Sequence, residues 1–480
     1  MKRAFASFVV VSTLGLIGLG CGGKKGTIQL DIVVSPIDDP FANGVSEVRF
    51  TIGPQMKSVP VTGGHFDFSL DQEPPKTPAA IVVEALDSAG KLVAHGQTPP
   101  ISLTPVDQGP FAVWVGRPGA IAAAAVQLPS ARTEMAAFGA TGLGAMFAGG
   151  RDATGAALSN TVVYDVYTQA LIKSEDGNLP QMSTPRAGAS AVPSSPRGVV
   201  FGGAQAAGLG ATMGALSSGE LFDPTGGGLW AAVPADSAPD ARSHANTILL
   251  GSGSGLISGG LNASGGPINT AMLVSTGGTS RITPIMMPMV AFRRGHAVAA
   301  ARFPDGDGAV LVGGLVDGDP NTIVERLIGQ SFTAFTAAGV ENRWDATLSP
   351  MSGGVLLVGG TINDGTSRKA TKSVVFIPTE VSGQPVSRFD TDFLPTARAG
   401  HTATAIGTDV LLCGGVDGTG TALASCELIG TSPIAWKKTI SLGTARTGHS
   451  AVALETGPIL IAGGTGANGQ PVNSIEIYTP

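Results

Sequence analysis

The chain has 480 residues, enough for two or three domains with a sizeable core. Its formal net charge of −6 and its 13% charged residues offer no basic face, which argues against a nucleic-acid-binding protein. Glycine accounts for 70 residues, yet 43% of the chain is hydrophobic. This balance excludes a disordered chain and favours an all-β protein with many tight turns.

Residues 1–20 have the character of a targeting segment. Lys2 and Arg3 precede a 16-residue apolar run at 4–19, which is shorter than the roughly 20 residues of a membrane-spanning helix. Cys21 follows, ahead of a polar stretch. The arrangement resembles a bacterial lipoprotein signal peptide, although Gly18 stands where that family usually has an aliphatic residue. The resemblance implies cleavage before Cys21 and lipidation of Cys21; the alternative is an ordinary secretory peptide with a chance cysteine.

Residues 21–26 would form a short tether to a first domain at 27–117. Hydrophobic and polar residues alternate there in a period of two, with turns rich in proline, glycine and aspartate between the runs, so antiparallel strands are predicted. Their number suggests a small β-sandwich of immunoglobulin-like type. The predicted strands are Thr27–Val34, Val48–Ile52, His65–Leu70, Ile81–Ala85, Leu92–Ala94 and Phe111–Val115.

The remainder of the chain carries a sevenfold repeat. Each copy has an aliphatic run that ends in a glycine pair, and an arginine stands 16 to 20 residues before the first glycine. Two markers that keep one phase through seven copies indicate a repeat architecture. The glycine pairs are Gly149 and Gly150, Gly202 and Gly203, Gly259 and Gly260, Gly313 and Gly314, Gly359 and Gly360, Gly414 and Gly415, and Gly463 and Gly464. The arginines are Arg132, Arg186, Arg242, Arg293, Arg343, Arg398 and Arg446.

Further strands follow each glycine pair. Turn dipeptides such as Asp417-Gly418 precede a third short strand, and a looser fourth strand is marked by tryptophan at Trp230 and Trp436. With the Arg-x-Gly-His text at Arg398 and Arg446, the pattern resembles the kelch repeat. The resemblance implies a seven-bladed β-propeller over residues 118–480. Four repeats differ from this motif at the histidine. Met135, Ala189 and Ala346 replace it, and His244 lies one residue closer to the arginine.

The resemblance also implies how the propeller closes. The chain ends at Pro480, directly after the third strand of the last repeat. The count that locates the other fourth strands reaches the segment 120–128 before Arg132, so this segment is predicted to complete the last blade. The recurring arginines and histidines are predicted to be scaffold residues that bond loops between blades.

Cys413 and Cys426 fall on adjacent predicted strands of one hairpin. In an exported protein they can form a disulfide, and the alternative is two small buried hydrophobic residues. The sequence leaves both possibilities open, because a disulfide depends on Cβ geometry.

An enzymatic function finds little support in the sequence. Galactose oxidase carries copper on a kelch propeller, but the tyrosines of this chain, Tyr164, Tyr167 and Tyr478, lie on or beside predicted third strands. The propeller histidines occupy the repeat position, and no phosphate-binding loop or nucleophile elbow occurs. The segment 305–308 is predicted to be a hairpin turn rather than a calcium loop.

The sequence therefore predicts a non-enzymatic, lipid-anchored module of the bacterial envelope, at the outer membrane because Gly22 rather than aspartate follows Cys21. A protein partner or a scaffold role is favoured, since aromatic residues are only 5% of the chain. A glycan ligand and a copper oxidase are the alternatives. We expect no cofactor, no nucleic acid and a monomer.

Overall fold

The computed structural model describes residues 10–14, 28–42, 44–62, 77–102, 111–140, 142–194, 196–224, 229–275, 279–316, 319–320, 323–335, 337, 340–363, 365, 367–381, 386–389 and 392–480. Over these residues the chain is all-β, apart from a single 3-10 turn at Ser174–Asp176. A search of the described residues finds no helix with the length and hydropathy to cross a membrane.

Two sheets precede the repeats and share one hydrophobic core. The first is antiparallel, with strands in the order Gln55–Pro60, Glu47–Ile52, Ile81–Leu86 and Leu92–Gln97. The second has the order Val10–Leu14, Ile28–Val33 and Phe111–Trp114. Buried residues of both sheets, including Leu30, Phe50 and Val113, pack into the same cluster. We call these two layers the N-terminal sheets.

The N-terminal sheets differ from the prediction in one pairing. Ile28–Val33 runs parallel to Phe111–Trp114, so the expectation of purely antiparallel strands is wrong. A parallel pair joins strands far apart in the chain, which alternation alone does not specify. The strand Gln55–Pro60 was not expected, and the predicted strand His65–Leu70 lies outside the described residues.

The repeats fold into consecutive four-stranded antiparallel sheets, which we number 1 to 7 in the order of their first strands. Sheet 1 comprises Ala136–Ala140, Gly144–Ala148, Thr161–Asp165 and Ala170–Lys173; sheet 2 comprises Ser190–Ser194, Arg197–Phe201, Gly219–Asp223 and Leu229–Ala232. Sheet 3 comprises Asn246–Leu249, Gly255–Ser258, Ala271–Ser275 and Arg281–Pro284; sheet 4 comprises Ala297–Phe303, Gly306–Val312, Val324–Ile328 and Ser331–Ala334. Sheet 5 comprises Thr347–Met351, Gly354–Val358, Val374–Pro378 and Ser387–Phe389; sheet 6 comprises Thr402–Ile406, Asp409–Cys413, Ser425–Thr431 and Ile434–Ser441. Sheet 7 comprises Ser450–Ala453, Ile459–Ala462 and Ile475–Thr479, followed by Ala120–Ala123.

Short two- and three-stranded sheets also occur in the loops. Leu315–Val316 pairs with Asp319–Pro320, and Thr361–Asn363 pairs with both Arg343–Trp344 and Arg368–Ala370. The first two strands of sheet 4 form the predicted hairpin, but its turn falls at 304–305 rather than 305–308.

The fourth strand of sheet 7 comes from a segment that precedes sheet 1 in the chain. Ala120–Ala123 pairs antiparallel with Ile475–Thr479, with Ile121 opposite Tyr478. The alanines of this strand are poor β-formers, but the pairing satisfies backbone groups that the edge of sheet 7 would otherwise expose.

Hydrophobic cores lie between the sheets. Each of the seven clusters in this part of the structure mixes residues from two neighbouring sheets, and one of them joins sheet 7 to sheet 1 through Leu460, Ile477, Phe147 and Tyr164. The first strands of neighbouring sheets also lie side by side, again including sheets 7 and 1. Each sheet therefore buries its two faces against its two neighbours.

The first glycine of each pair lies where no side chain fits. All seven have a positive φ, and a Cβ at that position would lie only 2.0 to 2.6 Å from the carbonyl oxygen of the repeat arginine in the next sheet. For the first glycine of sheet 7, the next arginine is Arg132, before sheet 1. The close approach of two backbones thus explains the glycine requirement.

A matched pair of substitutions tests this explanation. In Gly414→Ala the new Cβ would meet the Arg446 oxygen at 2.3 Å, whereas Gly420→Ala has a similar φ and no atom within 4 Å. We expect Gly420→Ala to lower the free energy of unfolding by about 1 kcal/mol and Gly414→Ala by about 3 kcal/mol or more. Chemical denaturation measures both; equal losses would contradict the close-approach explanation.

Candidate functional site

The repeat arginines are buried and bind within their own repeat. Arg398 donates from Nη1 to the Gly414 carbonyl at 3.0 Å and from Nη2 to the Glu427 carboxylate at 3.1 Å. The same donation to the first glycine carbonyl is made by Arg186, Arg242, Arg293, Arg343, Arg398 and Arg446. Burial lowers the pKa of Arg398 to about 10, and its charge is retained beside Glu427. These side chains brace strands inside one sheet, which differs from the predicted bonds between blades.

The bonds between sheets come from the arginine backbone. The second glycine N–H of each pair donates to the arginine carbonyl of the following sheet at 2.8 to 3.0 Å. The donor–acceptor pairs are Gly150–Arg186, Gly203–Arg242, Gly260–Arg293, Gly314–Arg343, Gly360–Arg398, Gly415–Arg446 and Gly464–Arg132. These residues mark one end of the sheets, which we call the arginine face.

The repeat histidines also bridge neighbouring sheets. His401 contacts Thr347 Oγ1 and His449 contacts Thr402 Oγ1, each at 2.9 Å through Nε2. His296 makes the same contact with Ser258. Burial, followed by the charge of Arg446, lowers the pKa of His449 to about 3, so this imidazole is neutral at physiological pH. The predicted scaffold role fits these contacts.

Residues expected of a copper or other metal site do not converge. Tyr164 is buried and donates to Gln169 Oε1 at 2.5 Å, and burial raises the pKa of its hydroxyl. A search of the described residues finds no group of three histidine, cysteine, aspartate or glutamate side chains placed to hold a metal ion. Cys413 and Cys426 lie opposite each other in sheet 6 and are joined by a disulfide.

Seven left-handed residues lie at the arginine face, two positions after each repeat arginine. All seven have a φ between 51° and 63°. They are Glu134, Gly188, His244, Gly295, Asp345, Gly400 and Gly448. Four are glycine, for which this conformation is easy, whereas the other three carry titratable side chains at a conformational cost. Sequence comparison of the repeats contained this signal, because these three interrupt a glycine position.

Glu134, one of the three titratable residues, pairs with a buried arginine and is also contacted by His244. Arg151 Nε donates to Glu134 Oε2 at 2.9 Å, and His244 Nε2 lies 3.5 Å from the same oxygen. Burial acts to raise the pKa of Glu134, but His244 and Arg151 outweigh it, so the pKa lies below its usual value. Arg151 also donates to the carbonyls of Ala206 and Ala211, which fixes a loop of sheet 2 to sheet 1.

Asp345 is the third titratable residue of this set. Its Oδ1 lies 2.5 Å from the position that a Cβ on Gly295 would occupy. The surrounding protein desolvates the carboxylate and raises its pKa, while the charges of Arg294 and then His244 act in the opposite direction. Acidic, basic and imidazole groups thus influence one another at the arginine face.

An exposed apolar loop leads into the repeat arginine Arg293 at the arginine face. The exposed fractions are 83% for Met286, 56% for Met287, 55% for Val290 and 50% for Phe292. These four residues, which we call the apolar loop, connect the fourth strand of sheet 3 to Arg293 before sheet 4. Clustered apolar exposure on one surface is typical of an interaction site. On the same face, Leu209 and Met213 are exposed in the loop of sheet 2.

The N-terminal sheets contact the opposite end of the repeats. Trp114 Nε1 donates to Thr479 Oγ1 at 3.3 Å, and the Ala112 N–H donates to the Tyr167 carbonyl at 2.6 Å. Thr479 and Tyr167 lie at or just beyond the C-terminal ends of third strands, away from the arginine face. The arginine face is therefore not the one covered by the N-terminal sheets.

A shallow cleft occurs on this opposite end, with a volume of about 300 Å³. Its lining includes Arg302, Asp307, Met351 and Glu380 from sheets 4 and 5 and the turns beside them. The cleft is open and its lining carries both positive and negative charges, so it does not indicate a class of ligand.

Comparison of the sequence with models of protein families and with curated proteins yields no match.

Substitution of the left-handed residues tests whether their side chains stabilise the fold. Asp345→Gly removes a side chain from a left-handed position, so we expect a free energy of unfolding within about 1 kcal/mol of wild type. Glu134→Gly removes the carboxylate that pairs with the buried Arg151, and we expect a loss of at least about 2 kcal/mol. Denaturant titration compares the two; a large loss in Asp345→Gly would make Asp345 a scaffold residue.

Proposed function

We propose that residues 118–480 form a closed, seven-bladed β-propeller of the kelch type. The support is the set of consecutive four-stranded sheets, the cores shared by neighbours, and the glycine–arginine hydrogen bonds that link sheet 7 to sheet 1. Closure leaves each blade with two packed faces and joins both chain ends of the repeat region in one sheet.

We propose further that the chain is exported and anchored in the bacterial envelope, at the outer membrane, through a lipidated Cys21. Cleavage before Cys21 would remove the strand Val10–Leu14. Ile28–Val33 would then keep its parallel partner Phe111–Trp114, so the N-terminal sheets lose only an edge strand.

Metabolic labelling with a fatty acid tests the anchor. The wild-type chain should incorporate the label and fractionate with membranes, whereas Cys21→Ser should lose the label and be released. Labelling that survives in Cys21→Ser would contradict the proposal.

The function that this arrangement supports best is non-enzymatic protein binding at the arginine face. The observation that carries it is the apolar loop, which exposes two methionines, a valine and a phenylalanine on the face opposite the N-terminal sheets. Protein interfaces are enriched in methionine and aromatic residues, and flexible methionines adapt to a partner's shape. A tether at the N-terminal sheets would present this face away from the membrane.

Crosslinking in envelope extracts tests the binding function. The full-length wild-type protein should crosslink at least one protein that Met286→Ser/Met287→Ser/Phe292→Ser fails to crosslink, because the contact surface is lost. Met56→Ser replaces a methionine that is 66% exposed on the N-terminal sheets and should keep the crosslink. An identical crosslinking pattern for all three proteins would contradict protein binding at the apolar loop.

A further inference from the structure

We infer that the apolar loop and Arg294 form one docking site for a polypeptide segment that combines apolar side chains with a carboxylate. The inference rests on the proposed protein-binding function and names the chemistry of the partner.

The apolar loop is held in a defined shape. The Val290 N–H donates to Glu325 Oε2 at 2.7 Å, and the Ala291 N–H donates to Oε1 of the same carboxylate at 3.2 Å. The Met289 N–H donates to the Asn269 carbonyl at 2.7 Å, and Met289 itself is buried between sheets 3 and 4. The exposed side chains therefore project from an ordered backbone, which reduces the entropy lost on binding.

The scaffold does not require these exposed residues. Phe292 stands directly before the repeat arginine, where the other repeats have a small or polar residue. Those residues are Ala131, Pro185, Ala241, Asn342, Ala397 and Ala445. Half of the Phe292 side chain is exposed, so its size contributes surface rather than core.

Arg294 is a second departure from the repeat, two residues beyond Phe292. The other repeats have an uncharged residue directly after the arginine: Thr133, Ala187, Ser243, Trp344, Ala399 and Thr447. The Arg294 backbone is fixed by two hydrogen bonds with Leu315, at 2.9 and 3.2 Å. The residue is exposed, and none of the side-chain hydrogen bonds or ion pairs among the described residues involves its guanidinium.

Charge complementarity identifies the occupant. The charge of Arg294 acts on the Asp345 carboxylate, but among the described residues the two groups do not form an ion pair. Arg294 thus offers all its donors to an incoming acceptor. Guanidinium groups favour carboxylates, which they bind through two parallel hydrogen bonds. A bound apolar segment would exclude water from this contact and strengthen it.

Selection from a displayed library of short random peptides tests the inference on the full-length protein. Wild type should enrich peptides that carry apolar residues next to aspartate or glutamate. Arg294→Glu should lose the acidic preference while still enriching apolar peptides. Arg302→Glu is the matched control, because Arg302 is an exposed arginine near the other end of the same strand, and it should enrich the wild-type peptides.

Binding of a synthetic peptide from the selection then measures directly the interaction between Arg294 and the acidic residue of the peptide. Replacement of its acidic residue by the amide should weaken binding to wild type about tenfold. The same replacement should have little effect on binding to Arg294→Glu, as expected when two groups interact.

The outcomes separate this inference from the proposed function. Enriched apolar peptides with no acidic residue would overturn the role of Arg294 and leave protein binding intact. Failure of wild type to enrich any peptide over Met286→Ser/Met287→Ser/Phe292→Ser would overturn both. Concentration-dependent dimerisation, or binding to phosphatidylglycerol vesicles, that the triple variant abolishes would assign the loop to a second copy or to lipid and overturn the inference.

Discussion

The repeat region depends on one backbone contact, made between each glycine pair and the carbonyl of the next repeat arginine. The oxygen fills the space where the first glycine would carry a Cβ, and the N–H of the second glycine donates to it. Both glycines have a positive φ, so any other residue would meet steric and conformational cost together. The arginine side chain then braces the strands of its own sheet from a buried position.

Because a few repeat residues hold the sheets together, other positions of the repeat can vary. The arginine, the glycine pair and the bridging histidine hold the sheets, whereas the residues directly before and after the arginine contribute little to that frame. Substitutions there change the surface without changing the scaffold. Phe292 and Arg294 lie at such positions, and Asp345 lies two residues after the next repeat arginine; all three are on the face that the N-terminal sheets do not cover. Function on this scaffold would therefore arise from departures from the repeat.

The sequence predicted the parts of the fold that recur or that depend on phase. Two markers in register located, in all seven sheets, the second strand that ends at the glycine pair, and counting back from Arg132 identified the segment 120–128, of which Ala120–Ala123 pairs with Ile475–Thr479. Features set by long-range contacts were not predictable in this way. The parallel partner of Ile28–Val33 lies about 80 residues away along the chain, and alternation carries no information about partner or direction.

The candidate site was predictable only in part. The glycine, arginine and histidine residues were assigned to the scaffold from their recurrence. Glu134 and Asp345 were not singled out, and His244 was noted only as a displaced repeat histidine, although the interruption of a glycine position by all three could have shown them. The apolar loop was missed because its Met-Pro-Met text also suits a buried segment; Met289 is buried while Met286 is exposed. Burial at such spacing is decided by the tertiary structure.

Native-state hydrogen exchange of the glycine amides tests the central contact most directly. In a closed ring, the Gly464 amide is bonded to Arg132 as the Gly415 amide is bonded to Arg446. The account predicts that both exchange equally slowly, at the rate set by global unfolding. Rapid exchange at Gly464 beside slow exchange at Gly415 would show an open junction between sheets 7 and 1, and would contradict it.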